Sequence, residues 1–103
     1  MSKNLYPDWR TQVMFSPAGP KPQVLTEHAK FKAVIVGLEP GQAIPLHPEE
    51  GSAVFHIIEG TGWALVNDER LAITPGATVI VPENGKRGMQ ATTRLVFLAV
   101  RIA

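Results

Sequence analysis

The 103-residue sequence contains no cysteine. This excludes a disulfide framework, a thiolate metal site and a cysteine nucleophile. Charged residues are also scarce, at 18% of the chain, where an average domain has about a quarter. The formal net charge is +1, and the only tight basic pairs are Lys30 with Lys32 and Lys86 with Arg87. The sequence therefore predicts no nucleic-acid partner.

Long hydrophobic runs are missing as well. The longest apolar stretches, such as residues 95–100, are far shorter than the roughly 20 residues that span a bilayer. The first residues are polar and lack the apolar region of a signal peptide. We therefore expect no membrane association, and a cytoplasmic location as the default for a small fold without disulfides.

The chain is rich in hydrophobic residues, at 45%, and in glycine and proline, with nine of each. These values disfavour a disordered chain and a helical bundle. With the spacing of the turn residues, they predict a single domain at 12–103, built as an all-β sandwich or barrel of about eight to ten short strands. Residues 1–11 are predicted to be an arm, because Asn4, Pro7 and Asp8 interrupt any strand period there. Apolar runs bounded by turn residues place the strands at 12–15, 22–38 (one or two strands), 53–58, 62–66, 71–74, 78–82, 87–91 and 95–102.

One stretch, residues 22–38, becomes apolar on both faces towards its end. Strand faces that are both apolar are covered on both sides. We expect the arm or a second subunit to provide the outer cover. The face that carries Val34, Val36 and Leu38 is interpreted as the one that fits a homodimer.

Two segments resemble the motifs of the cupin superfamily. The first cupin motif is Gly, five residues, His-x-His, three or four residues, Glu, six residues and Gly. Gly41 and His47 match its beginning and Gly60 its end. Glu49 stands in the place of the second His, and Ala53 in the place of the Glu.

The second cupin motif is Gly, five residues, Pro-x-Gly, two residues, His, three residues and Asn. Gly76 and Pro82 match it, whereas Asn84 replaces the Gly, Arg87 the His and Ala91 the Asn. The resemblance implies a jelly-roll β-barrel of short antiparallel strands and a homodimer.

The retained and the replaced residues differ in their physical role. The retained glycines and proline serve turns, so they specify the fold. Cupins that bind metal usually use three His and one Glu, and of those four positions only His47 is kept. The resemblance therefore implies the fold but not the usual metal chemistry.

The residues that replace the ligands form a cluster of their own. His47 and Glu49 are two apart and would face one side of a strand, and Arg87 at the lost His position would point into the same cavity. Three interpretations stay open. Arg87 and Glu49 form a structural ion pair, or Arg87 and His47 hold an anionic ligand, or His47 and Glu49 bind a metal with a third ligand. His56 could be that ligand if a bulge turned it inward.

Alternation along the strands extends the predicted site. Starting from positions 53 and 87, it predicts three apolar residues that line the cavity: Phe55, Ile57 and Met89. Trp63 is either a core or rim aromatic or a wall on which a ligand stacks.

The sequence thus predicts a small cupin-like domain that binds a small anionic organic ligand and carries no metal cofactor. One alternative is a metal-dependent isomerase, lyase or dioxygenase with a rebuilt site for Fe, Mn, Ni or Zn. The other is a regulatory or interaction module with a vestigial pocket. Whether the protein is an enzyme is left open.

Overall fold

The computed structural model describes residues 4–103 of the chain. It contains one short 3-10 helix at Trp9–Thr11, and no helix in this range is long and apolar enough to cross a membrane. The described residues also form nine strands: β1 Lys21–His28, β2 Phe31–Leu38, β3 Ala43–His47, β4 Ser52–Glu59, β5 Gly62–Val66, β6 Glu69–Ile73, β7 Thr78–Val81, β8 Arg87–Ala91 and β9 Leu95–Ile102.

The nine strands make two antiparallel sheets. One sheet has five strands in the order β1-β2-β9-β4-β7, and the other has four in the order β3-β8-β5-β6. The sheets pack face to face, as in a jelly roll. The structure confirms the all-β fold class and the expected number of strands.

The core lies between the two sheets and follows the two-residue period of the strands. On β4 the buried residues are Ala53, Phe55 and Ile57, and their neighbours point outward. On β5 the alternation is reversed, so that Gly62, Ala64 and Val66 are inside. Six large side chains are almost completely buried: Leu38, Ile57, Met89, Leu95, Val81 and Val96.

The predicted strand at residues 12–15 is wrong. These residues have no regular structure and lie on the outer face of β2, where a Cβ on Gly37 would collide with the Met14 carbonyl and the Phe15 ring. A segment on the face of a sheet has no free strand edge to pair with, because ladder hydrogen bonds lie in the plane of the sheet.

The predicted arm packs on its own domain, as far as it falls within the described residues. The Tyr6 hydroxyl donates a hydrogen bond to the Leu25 carbonyl at 2.9 Å. Further along, Asp8 caps the 3-10 helix by accepting from the backbone N–H of Arg10. Residues 1–3 of the predicted arm lie outside the described residues.

The stretch 22–38 folds as two strands joined at residues 29–30. Val34, Val36 and Leu38 belong to the core cluster between the sheets, so the interpretation of this face as a subunit interface is wrong. The outer face of β2 is the other one, at positions 33, 35 and 37. Because both faces are apolar at this end, the sequence alone does not tell which face points inward.

The turns explain which motif residues are kept. Gly60 has a φ of 89°, and a Cβ there would collide with the Arg94 carbonyl. Asn84, in the place of a motif glycine, has a φ of 59°, which asparagine tolerates better than most residues. Its backbone N–H donates to the Gly51 carbonyl at 2.8 Å and its Oδ1 accepts from the Gly51 N–H at 3.1 Å.

Candidate functional site

A cavity of about 340 Å³ lies between the sheets on the side where β1 and β3 are the edge strands. Its wall is mostly apolar, and its polar groups come from β2, β3, β8, β9 and the loop after β3. The lining residues that carry a functional group are Lys32, His47, Glu49, Arg87 and Arg101. Five of the predicted site residues therefore line one cavity: His47, Glu49, Phe55, Arg87 and Met89.

Arg87 is held mainly by backbone carbonyls. It is only 2% exposed, and its Nε and Nη2 both donate to the Gly85 carbonyl, at 3.0 and 2.9 Å. Nη2 also donates to the carbonyls of Gly51 at 2.9 Å and Glu49 at 3.2 Å. The remaining nitrogen, Nη1, is buried without a hydrogen-bond partner among the described residues.

Glu49 is the carboxylate of the cavity, and its closest cation is not the predicted one. Its Oε1 lies 2.9 Å from Nη2 of Arg101, whereas its Oε2 lies 3.9 Å from Nε of Arg87. The second distance is too long for a hydrogen bond. The structural ion pair expected between Glu49 and Arg87 is therefore loose, and Glu49 pairs chiefly with Arg101.

His47 reaches the cavity because β3 is irregular. The register against β8 shifts between Ile44 and His47, at Pro45, which has no N–H for a ladder hydrogen bond. Nδ1 of His47 lies 2.9 Å from the Pro45 carbonyl. A carbonyl only accepts, so Nδ1 carries the proton, and Nε2, which lies 3.5 Å from Oε2 of Glu49, is the ring atom that a ligand can reach.

His47 and Glu49 come together for a different reason from the predicted one. The strand ends at His47, and Glu49 follows in a loop. The loop is held by Gly51, which is buried against the backbone of Ile102. The two side chains thus meet through a loop contact and not through strand alternation.

Sequence reasoning missed two cations of the site. Arg101 follows Phe97 and Ala99 on the inward face of β9, and Lys32 precedes Val34 and Val36 on the inward face of β2. Lys32 and Arg101 are direct cross-strand partners. Period-2 alternation indicates that each cation shares a face with apolar residues, but it does not tell that this face points inward.

Two predicted lining residues do not reach the cavity. Ile57 points inward but is 0% exposed and belongs to the sealed core. Trp63 lies on the outer face of β5, where the Arg70 guanidinium stacks over its ring at 3.7 Å. Trp63 therefore does not line this cavity, because the inward positions of β5 belong to its even-numbered residues.

The donors present do not suit a divalent metal. Within residues 4–103 no three side chains of His, Cys, Asp or Glu converge, and protein metal sites use at least three ligands. His56 lies on the exposed face of β4, where its Nδ1 contacts the Thr78 hydroxyl at 3.1 Å. Two guanidinium groups beside Glu49 would also repel a cation.

The comparison with protein families agrees with this geometry. The family model of the Cupin domain matches residues 34–101, which contain both motifs and all of the cavity's lining residues except Pro22, Val24 and Lys32. The chain belongs to the cupin family. No curated protein matches the sequence.

Solved cupin-like structures resemble the whole chain. A conserved protein of unknown function from Streptococcus pyogenes aligns with a TM-score of 0.86 at 20% identity, over 99% of this chain and 90% of that one. An RmlC-like cupin protein from Desulfovibrio desulfuricans aligns with a TM-score of 0.81 at 25% identity, over 99% of this chain and 95% of that one.

An enzyme is among the similar structures. Salicylate 1,2-dioxygenase from Pseudoaminobacter salicylatoxidans aligns with a TM-score of 0.75 at 22% identity. The alignment covers 82% of this chain but 27% of that one. At this identity the likeness shows a shared fold.

Proposed function

We propose that this cupin binds a small organic anion in the cavity between its sheets, without the metal that many cupins use. The observation that carries the proposal is the state of Arg87. Its guanidinium is fixed by carbonyls on one side, yet Nη1 is buried without a partner in residues 4–103. A buried donor without a partner is costly, and an anionic ligand would satisfy it with a charge-assisted hydrogen bond.

Arg101 supports the same proposal. Its Nη2 contacts Glu49, but its Nε is buried without a partner among the described residues. Two guanidinium groups with free donors beside one cavity suit a carboxylate or another planar anion. A cavity of about 340 Å³ also falls within the range of roughly 300–1,000 Å³ that small-molecule sites occupy.

Thermal unfolding with a panel of anions tests this proposal. A ligand that binds the native state raises the unfolding temperature, so benzoate, hexanoate, succinate and phosphate are each added in excess to the full chain. We expect at least one organic anion to stabilise the wild type, and the shift to be lost in Arg101→Met. Arg70→Met is the matched control, because Arg70 stacks on Trp63 outside the barrel.

Two results would overturn the proposal. No shift with any anion of the panel would favour an interaction module with a vestigial pocket. The second result would come from elemental analysis of protein purified without chelator. One equivalent of Fe, Mn, Ni or Zn that disappears in His47→Ala would establish a rebuilt metal site and the enzyme alternative.

The proposal includes a homodimer formed through the outer face of the five-stranded sheet. The outward face of β4, β7 and β9 is apolar around Val54, which is the cross-strand neighbour of both Ile80 and Val100. Ile80 is 65% exposed, and beyond Val54 the same face carries His56 and Thr78. A mostly apolar face is compatible with a second copy of itself, as a two-fold interface requires.

Light scattering at micromolar concentration tests the dimer. We expect twice the mass of one chain for the wild type and the mass of one chain for Ile80→Glu, which places a charge on the outer face. Leu46→Glu, on the edge strand β3, is the control and stays dimeric. A monomeric wild type contradicts this part of the proposal and leaves the cavity untouched. The cytoplasmic location stays a prediction.

A further inference from the structure

The cavity is polar at one end and apolar along its length. On β2 and β9 the inward cross-strand pairs run from Lys32 with Arg101 to Val34 with Ala99 and then Val36 with Phe97. The cations therefore stand at one end of the two strands. The pairs that follow carry no polar side-chain atom, and Phe55 packs against Phe97 at a ring-centroid distance of 5.4 Å.

The polar end is accessible. The side chain of His47 is 44% exposed and that of Arg101 is 40% exposed, whereas Val36 and Phe97, further along β2 and β9, are buried. A ligand would therefore place its charged group at the mouth beside Arg101 and its body against the apolar wall.

The charges at the polar end can be counted. Three cations line the cavity, namely Lys32, Arg87 and Arg101, and Glu49 is the carboxylate among the lining residues. Another carboxylate, that of Glu27, has its Oε2 at 3.8 Å from Nζ of Lys32 but does not line the cavity. The cations at this end therefore outnumber the carboxylates that contact them.

The position across from Arg101 adds no further charge. Ala53 is the cross-strand neighbour of Arg101 on β4, and it stands where the first cupin motif has its Glu. Ala53 is buried in the core and carries no charge, so it does not reduce the excess of cations at this end.

We infer that the ligand is a monoanion with an apolar body, such as an aliphatic or aromatic monocarboxylate. This inference rests on the proposed anion-binding function and narrows it. One carboxylate at the polar end would offset the excess of cations there, and the unpaired nitrogens of Arg87 and Arg101 are candidate donors to it. A second carboxylate would lie against the apolar wall without a partner, which is strongly unfavourable.

Three six-carbon probes test the inference by titration calorimetry on the full chain: hexanoate, hexanamide and adipate. They share one chain length and differ in having one charge, no charge or a charge at each end. We expect hexanamide to bind at least about tenfold more weakly than hexanoate, because it loses a charge-assisted hydrogen bond. Adipate should bind at least roughly a hundredfold more weakly, because one of its carboxylates must be desolvated without a partner.

The outcomes separate the inference from the function on which it rests. Adipate that binds as tightly as hexanoate overturns the monoanion inference, while the anion-binding proposal stands. Hexanamide that binds as tightly as hexanoate shows that charge is not recognised and overturns both. Failure of every probe and every panel anion to bind overturns the proposed function itself, and the inference with it. Arg101→Met should weaken hexanoate binding, and Arg70→Met should not.

Discussion

The two ends of the barrel interior are built on the same strands and have opposite properties. At one end Leu38, Ile57 and Leu95 are 0% exposed and fill the space between the sheets. At the other end Lys32, Arg87 and Arg101 line a cavity. The inward face of β9 contains both, since it begins at Leu95 and ends at Arg101.

This difference separates the part of the chain that holds the fold from the part that is available for binding. The sealed end supplies burial, the largest favourable contribution to folding. The open end retains donors that have no partner in the described part of the chain. Substitutions at the two ends should therefore affect different measurements.

Truncation in the sealed end should have the largest effect on stability. Leu95→Ala removes a completely buried side chain and should lower the free energy of unfolding by about 3 kcal/mol, because the cavity it leaves only partly collapses. Urea denaturation measures this. Leu46→Ala, at an exposed position on β3, should cost less than about 1 kcal/mol. Equal losses for the two variants would refute the distinction between a sealed core and an open end.

Arg87 is expected to contribute both to the stability of the fold and to anion binding. Arg87→Met leaves the carbonyls of Gly85, Gly51 and Glu49 without their donor and should destabilise the fold by about 2–3 kcal/mol. Anion-induced stabilisation should disappear as well. Arg101→Met is the matched variant: its exposed ion pair should cost less than about 1 kcal/mol, so that it loses binding and keeps stability. An Arg101→Met protein that unfolds as readily as Arg87→Met would show that Arg101 is structural.

Glu49 is expected to affect ligand binding at the open end, because its carboxylate competes with the ligand for the cations of the cavity. Glu49→Gln removes the carboxylate that contacts Arg101 at 2.9 Å and should tighten hexanoate binding by about tenfold, the value of one modest ionic interaction. Calorimetric titration gives the change. Glu50→Gln is the control, since Glu50 does not line the cavity. Weaker binding in Glu49→Gln would mean that Glu49 positions the ligand and does not compete with it.

The smallest effect is expected outside the barrel. Trp63→Phe alters a residue on the outer face of β5 and should change hexanoate affinity by less than about twofold, because no contact with the cavity is lost. A clear loss of hexanoate affinity would show that Trp63 takes part in ligand binding.

The frame could be predicted from the sequence because turns depend on local chemistry. Gly60 and Gly76 have positive φ values, which few residues besides glycine adopt. Asn84 extends the rule, since its φ is positive at the position of a motif glycine. The strands between such turns follow from short apolar runs, and most of their bounds agree with the structure within two residues.

The candidate site could be predicted only in part. His47, Glu49 and Arg87 were found because they occupy motif positions. Arg101 and Lys32 were missed because they lie outside the motif positions and meet the others only when β2 and β9 pair. Their partners are distant in the chain, so no local pattern indicates the distance from Arg101 to Glu49.

Two failures have a single physical cause. Trp63 was considered as a wall of the cavity, and Val34 was interpreted as part of an outer face. Alternation tells which residues share a face but not which face points inward. That choice depends on what covers the strand, such as the Phe15 ring on Gly37.

The covering of Gly37 by residues 14–15 has a consequence for where the cooperative folding unit ends. Sequence similarity to the family begins at residue 34, yet Gln42 donates to the Ser16 carbonyl at 2.6 Å and Tyr6 donates to Leu25. A chain shortened to the region of family similarity would lose β1 and expose an apolar sheet face to water. The boundary of sequence similarity and the boundary of autonomous folding therefore differ in this protein, and amide hydrogen exchange would trace the second of them.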